Sequence, residues 1–280
     1  MIKQHNIKIS GSKDKPILLD AYYINNENPK PIVIMVHGFK GFKDWGHFNV
    51  IAHKLAEAEF VVVKFNFSHN GTTDYAPNEF ADLEAFGQNN FSIELNDLGN
   101  VVDIVLSGDV ISLKEISKKS VSLIGHSRGG GISILRAAQD NRISKLITWA
   151  SVAEFGRYWN NEVMEKWKKE GVMIVKNART NQDMPLYYQL YDNYFENYDR
   201  LHIPTQAKNV AIPWLIVHGT NDEAVPAEAA NELHSLNDNS ELILVDDGNH
   251  TFGGRHPWKY QNLAKDMQKV ADQTIRFLKA

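Results

Sequence analysis

The chain has 280 residues, of which 43% are hydrophobic and 23% charged, with a formal net charge of −4 and no cysteine. A chain of this length buries most of its apolar surface without a staple, and this composition excludes disordered, collagen-like and coiled-coil proteins. The missing cysteine excludes a disulfide scaffold, a thiolate nucleophile and cysteine-rich metal sites, and the scattered basic residues exclude a nucleic-acid-binding stripe.

The start, Met1-Ile2-Lys3-Gln4-His5, carries no apolar signal segment. The longest apolar runs fall well short of the ~18 residues of a membrane helix. The expectation is a soluble, cytoplasmic protein without a membrane or nucleic-acid partner.

In chain order, short β-branched runs at 7–9 and 17–24 flank the turn-rich Gly11-Ser12-Lys13-Asp14-Lys15-Pro16, which predicts a leading hairpin. Further runs follow at 32–36, 61–67, 121–124, 146–149, 214–217 and 242–245. The later ones are continuously apolar, as strands buried on both faces of a parallel sheet require. Between them, Leu95, Leu98, Val102 and Val105 repeat at helical spacing, and so do Leu263, Met267, Val270 and Leu278. This alternation predicts an α/β fold, a mostly parallel sheet flanked by helices. The Asn-rich, acidic stretch 78–96 reads as a mobile surface loop leading into the helix that carries Leu95.

One segment breaks the rhythm. Residues 151–211 hold six of the ten tyrosines and show no clear buried strand. Tyr187, Tyr191, Tyr194 and Tyr198 are spaced as on a helix, so this segment is expected to be a helical insertion. It divides a core of 1–150 and 212–280.

The strongest chemical signal is Gly125-His126-Ser127-Arg128-Gly129, which follows the strand 121–124 and precedes a helix-compatible stretch. A G-x-S-x-G sequence between strand and helix forms a strained turn that lifts the serine to the helix N-terminus. A lone serine is a weak nucleophile and needs a base that is itself oriented by a carboxylate. Asp222, in His218-Gly219-Thr220-Asn221-Asp222, follows one strand, and His250, in Gly248-Asn249-His250, follows another. Both therefore fall at the carboxyl edge of the sheet, where open α/β sheets bind their ligands. Glu223, Asp246 and Asp247 are weaker candidates for the acid, and His256 for the base.

A tetrahedral intermediate also needs two N–H donors aimed at its oxyanion. The backbone of Arg128 supplies one in this reading. The loop His37-Gly38-Phe39-Lys40-Gly41, after strand 32–36, supplies the other from Phe39. His37 reads as a structural residue of that loop, the side chain of Arg128 as an ion-pairing group, and Lys40 and Lys43 as solvated charges. Trp159, Tyr187 and Tyr188 are the expected substrate contacts. No metal or cofactor is expected.

Taken together, these four glycine-containing segments and Val63-Lys64-Phe65-Asn66-Phe67-Ser68-His69-Asn70-Gly71 resemble the α/β-hydrolase superfamily. The branch most similar is that of dienelactone hydrolases and serine esterases, including feruloyl and cinnamoyl esterases. Dienelactone hydrolases use a cysteine nucleophile, whereas Ser127 stands at that place here. The resemblance implies an eight-stranded, mostly parallel sheet with a cap inserted after the sixth strand. It also implies ester hydrolysis of a small molecule through an acyl-enzyme. A peptidase or amidase of the prolyl-oligopeptidase-like branch shares the same triad. A non-catalytic binding protein on a hydrolase scaffold is the reading from another class.

Overall fold

A computed structural model describes residues 1–157 and 159–280; Tyr158, one of the tyrosines of the insertion, lies outside them. The strands are β1 (Ile2–Ser10), β2 (Pro16–Tyr23), β3 (Lys30–Val36), β4 (Val61–Asn66), β5 (Ile116–His126), β6 (Ile143–Trp149), β7 (Val172–Asn177), β8 (Gln182–Tyr187), β9 (Trp214–Gly219) and β10 (Ser240–Val245). The helices are α1 (Phe48–Glu57), α2 (Leu83–Gly87), α3 (Phe91–Ser107), α4 (Arg128–Gln139), α5 (Asn161–Glu170), α6 (Gln189–Glu196), α7 (Tyr198–Leu201), α8 (Ile203–Lys208), α9 (Glu228–Ser235) and α10 (Lys265–Lys279).

Eight strands form one sheet in the order β1-β2-β4-β3-β5-β6-β9-β10. The β1–β2 hairpin is antiparallel, as is β2 to β4, and every later pairing is parallel. The central strands are largely apolar because the sheet has a core on each face, whereas edge strand β1 alternates with polar, exposed residues. In β3, Ile32, Ile34 and Val36 enter one core with Leu95, Leu98 and Ile132, while Val33 and Met35 enter the other with Ile51, Leu55 and Val270. Successive side chains of a strand point to opposite faces, so a run without polar breaks feeds both layers.

The predicted α3 and α10 are present. On α10 the buried residues Met267, Val270, Ala271, Thr274 and Leu278 follow the helical period. That helix begins at Lys265.

Two expectations are corrected. The stretch 78–96 is not a solvated loop, because Phe80, Phe86 and Phe91 are buried and α2 and α3 begin within it. Side-chain oxygens of Asp82 and Asn90 cap those helices by accepting from the N–H groups of Ala85 and Ile93. The segment between β6 and β9 is not wholly helical either. It carries α5 to α8, but β7 and β8 pair as an antiparallel hairpin between α5 and α6. No helix among the described residues is long and apolar enough to cross a membrane.

Candidate active site

Ser127 sits between the end of β5 and the start of α4 with φ of 56° and ψ of −123°, a strained conformation for a non-glycine residue. Two glycines make the turn possible. A Cβ on Gly125 would lie 2.4 Å from the Gly129 carbonyl oxygen, and one on Gly129 would lie 2.4 Å from that of His37. The turn is tied down by the Ser127 N–H, which donates to the Trp149 carbonyl at 2.9 Å, and by the Gly130 N–H, which donates to the Ser127 carbonyl.

Asp222 and His250 follow β9 and β10 and come together with Ser127 over 28 and 123 residues of sequence. The His250 Nδ1–H donates to Asp222 Oδ2 at 2.8 Å, and the Ser127 Oγ lies 3.0 Å from His250 Nε2. Because the carboxylate only accepts, the imidazole proton is fixed on Nδ1 and Nε2 is left basic toward the hydroxyl. Burial works against the charge on Asp222. Hydrogen bonds from His218, His250 and the Val225 N–H outweigh that burial and hold its carboxyl well below the usual range. Its other oxygen accepts from the N–H groups of Ala224 and Val225. Glu223, Asp246 and Asp247 are exposed. His256 accepts from the Gly46 N–H and packs on Phe42 and Trp45 instead.

The loop after β3 lies against the serine, since a Cβ on Gly38 would be 2.9 Å from Ser127 Cβ. Neither the Phe39 nor the Arg128 N–H has a protein acceptor among the described residues. His37 holds this loop by donating from Nδ1 to the Gly38 carbonyl and accepting at Nε2 from the Phe67 N–H. Burial brings its imidazole down to about 4, so it is neutral at neutral pH. The Arg128 side chain turns inward, where Nε donates to Glu94 at 3.0 Å and the guanidinium lies over the Phe91 and Phe39 rings.

Lys43 departs from expectation. It is buried, and its ammonium donates to Asp20 at 2.9 Å and to Asp44 at 2.6 Å. Lys64 pairs with the same two carboxylates. This buried cluster ties the loop after β3 to β2 and β4. Lys40 reaches the Lys176 carbonyl at 3.1 Å.

Above Ser127 and His250 opens a mainly apolar cleft of about 820 Å³. Its walls include Phe39, Phe91, Phe155, Trp159, Met173 and Leu186. Trp159 is thus at the cleft, but Tyr187 and Tyr188 are not. Leu186 faces the cleft, so its strand neighbour Tyr187 faces away, where its hydroxyl donates to Glu84 at 2.5 Å. Tyr188 stacks on Tyr191 outside the cleft.

Two histidines escaped the sequence reading. His126 Nε2–H donates to the His250 carbonyl at 2.8 Å, and His218 Nε2–H donates to the Val225 carbonyl at 2.8 Å beside Asp222. The available signal was their place inside the two motifs, at strand ends. Among the described residues, no group of three or more His, Asp or Glu is arranged to hold a metal ion.

The sheet and its flanking helices define an α/β hydrolase. Residues 47–275 match the prolyl oligopeptidase family, and the chain belongs to this family of serine hydrolases. Human "Serine hydrolase BPHL" is 28% identical over 171 residues, which is 55% of this chain and 56% of that protein. The match therefore spans little more than half of that relative. Among solved structures, a putative hydrolase from Agrobacterium vitis S4 superposes with a TM-score of 0.72 at 18% identity, covering 99% of this chain and all of the other. Est1E from Butyrivibrio proteoclasticus, solved with ferulic acid bound, gives a TM-score of 0.66 at 20% identity over 97% of each chain. These two likenesses are likenesses of fold.

Proposed function

We propose that this hydrolase cleaves carboxylic esters of small molecules through an acyl-enzyme on Ser127. The observation that carries the reading is the continuous relay from Asp222 through His250 to Ser127, at 2.8 and 3.0 Å, on the floor of an apolar cleft.

In this mechanism His250 Nε2 takes the serine proton as Oγ attacks the ester carbonyl. Asp222 holds the imidazole tautomer and stabilises the imidazolium that forms. The oxyanion is received by the N–H groups of Phe39 and Arg128, a contribution of ~3 kcal/mol for each donor. His250 then protonates the departing alcohol, and water attacks the acyl-enzyme with the same base. In this reading 1–150 and 212–280 are the catalytic core and 151–211 is a cap, whose Phe155, Trp159, Met173 and Leu186 form one wall of the cleft. The setting is cytoplasmic in this reading, and the chemistry uses no metal or cofactor.

An apolar cleft suits an acyl or aryl group better than a polar peptide main chain. The ferulic acid bound to Est1E, on the same fold, supports an ester of that kind. The test is a panel of nitrophenyl esters and methyl hydroxycinnamates, with Ser127→Ala as control. Turnover by the wild type, loss in the variant and fluorophosphonate labelling of Ser127 are expected. A folded wild type that neither turns over nor labels would move the assignment to a binding protein. Family membership favours a peptidase or amidase as the second reading. Faster release of nitroaniline from peptidyl nitroanilides than of nitrophenol from the esters would select it.

A further inference from the structure

The loop after β3 carries Phe39, whose N–H receives the oxyanion in the reading above, and its sequence gives it little stiffness of its own. Gly38 and Gly41 bracket Phe39 and Lys40. A backbone bond closes this turn, from the Gly41 N–H to the Gly38 carbonyl at 3.0 Å. Glycines leave a loop free to move unless something outside holds it. An oxyanion donor acts at full strength only when its N–H is aimed at the place where the charge develops.

What holds this loop is charge. Asp20 and Lys64 face each other across β2 and β4, and the loop sets Lys43 and Asp44 against them to close a ring. The Lys64 ammonium donates to Asp20 at 2.6 Å and also to Asp44. The Lys43 ammonium donates to Asp20 at 2.9 Å and to Asp44 at 2.6 Å. The side chains of Asp20 and Lys64 are wholly buried, and those of Lys43 and Asp44 are 2% and 14% exposed. Neutral bonds pin the same stretch. Asn66 Oδ1 accepts from the Lys43 N–H at 2.6 Å, and the Asn70 amide donates to the Gly41 carbonyl at 3.3 Å.

A buried ring of this kind is a poor source of stability, because taking its charges out of water costs about what their pairing returns. It is a good source of geometry. With the signs alternating around the ring, a slip of the loop along the strands sets like charges together. We propose that Lys43 and Asp44 are positioning residues for the oxyanion donor. Docked on Asp20 and Lys64, they hold the Phe39 N–H where the tetrahedral oxygen forms, so the inference rests on the acyl-enzyme reading above. A buried pair elsewhere supplies the contrast. Lys30 and Glu115 meet at 2.8 Å, each 2% exposed, at the start of β3 and just before β5, the end of the sheet away from Ser127.

The test removes the loop half of the ring without unbalancing it. Lys43→Met with Asp44→Asn takes away one charge of each sign and leaves Asp20 paired with Lys64. Lys30→Met with Glu115→Gln is the control for loss of a buried pair. Both proteins, confirmed as folded by their melting curves, are compared with wild type on an aryl ester and on its thiono analogue, in which sulfur replaces the carbonyl oxygen. Sulfur accepts hydrogen bonds weakly, so a well-aimed oxyanion hole prefers the oxygen ester and a loosened one loses that preference. The loop variant is expected to lose about ten- to hundredfold in kcat with a smaller change in KM, and about tenfold in its preference for oxygen. A smaller folded fraction alone slows both esters equally. The control should keep the wild-type preference. If the loop variant does not fold, Asp44→Asn alone, at the most exposed corner of the ring, should give a smaller shift in the same direction. A folded variant with the wild-type preference overturns the proposal, and so does an equal loss in the control. The rate of fluorophosphonate labelling of Ser127 is measured alongside, since its phosphoryl oxygen enters the same hole. If wild type labels but hydrolyses no ester, the ester reading fails; slower labelling of the loop variant then still supports the ring's role, and an unchanged rate overturns it. A wild type that neither hydrolyses nor labels defeats both.

Discussion

His126 holds His250, the proposed base, from behind, its Nε2–H donating to the His250 main-chain carbonyl at 2.8 Å. A carbonyl only accepts, so this bond fixes the His126 proton on Nε2. Burial, with the neighbouring His250, brings the His126 imidazole down to about 3, which keeps it neutral at any pH where the protein works. The residue directly before Ser127 therefore positions the loop that carries His250, so the proposed nucleophile and base share one support.

Removing that support should loosen the base without touching the substrate. His126→Ala is expected to lower kcat about ten- to hundredfold with a smaller change in KM, the scale on which a misplacement near 1 Å acts. His126→Gln keeps an N–H donor and should recover part of the loss. Steady-state kinetics on a nitrophenyl ester check this. An Ala variant with wild-type kcat would show that the loop holds itself.

Asp222 makes a sharper prediction. Asp222→Asn keeps the shape but offers an amide N–H to His250 Nδ1, which favours the tautomer with its proton on Nε2, facing Ser127. A fall in kcat of about 10⁴ is expected at neutral pH. The melting temperature is the companion measurement, because the N–H groups of Ala224 and Val225 still have an oxygen to bond. A loss below tenfold would exclude Asp222 as the orienting group.

The sequence made the site legible because each part is local. A strand, two glycines and a serine define the elbow, and Asp222 and His250 each sit a few residues beyond an apolar run. What it left unread is non-local or two-faced. The helical spacing of Tyr187, Tyr191, Tyr194 and Tyr198 hides that Tyr187 ends strand β8, where alternation turns it away from the cleft. The polar stretch 78–96 concealed Phe80, Phe86 and Phe91, whose burial depends on Phe42, Phe155 and Met184 far along the chain. Lys43 looked like a surface charge because Asp20, which accepts from its ammonium, lies 23 residues away in the chain, and Lys64, which shares that carboxylate, lies 44 residues from Asp20.

The pair Arg128–Glu94 tests the buried electrostatics beneath the cleft. Arg128 Nε donates to Glu94 Oε2 at 3.0 Å, the Asn89 amide donates to Oε1 at 2.8 Å, and both charged side chains are buried. Burial already pulls the Glu94 carboxyl above its usual range, with Arg128 opposing it. Arg128→Met strands that carboxyl and should cost about 3–5 kcal/mol of stability. Adding Glu94→Gln removes the stranded charge, so the double variant should be more stable than Arg128→Met alone. Urea unfolding of the two single variants and the double variant gives the coupling directly.

Stability should also fall on mild acidification, for a reason separate from catalysis. His37 and His47 are buried, and burial brings each imidazole from 6.5 down to about 4. Between those values the unfolded chain binds a proton that the fold does not. Stability is therefore full above pH 6.5 and is lost as pH falls toward 4, with a slope of up to about 1.4 kcal/mol per pH unit for each histidine. Asp20, held down at about 2 against its own burial by Lys64 and Lys43, adds a loss only below the ordinary carboxylate range. Urea midpoints at pH 7 and pH 5 should therefore differ clearly. His47→Gln, which cannot titrate, should reduce that difference, since the His47 Nδ1 has no hydrogen-bond partner among the described residues to lose. Equal midpoints at the two pH values would mean that both imidazoles accept protons within the folded protein.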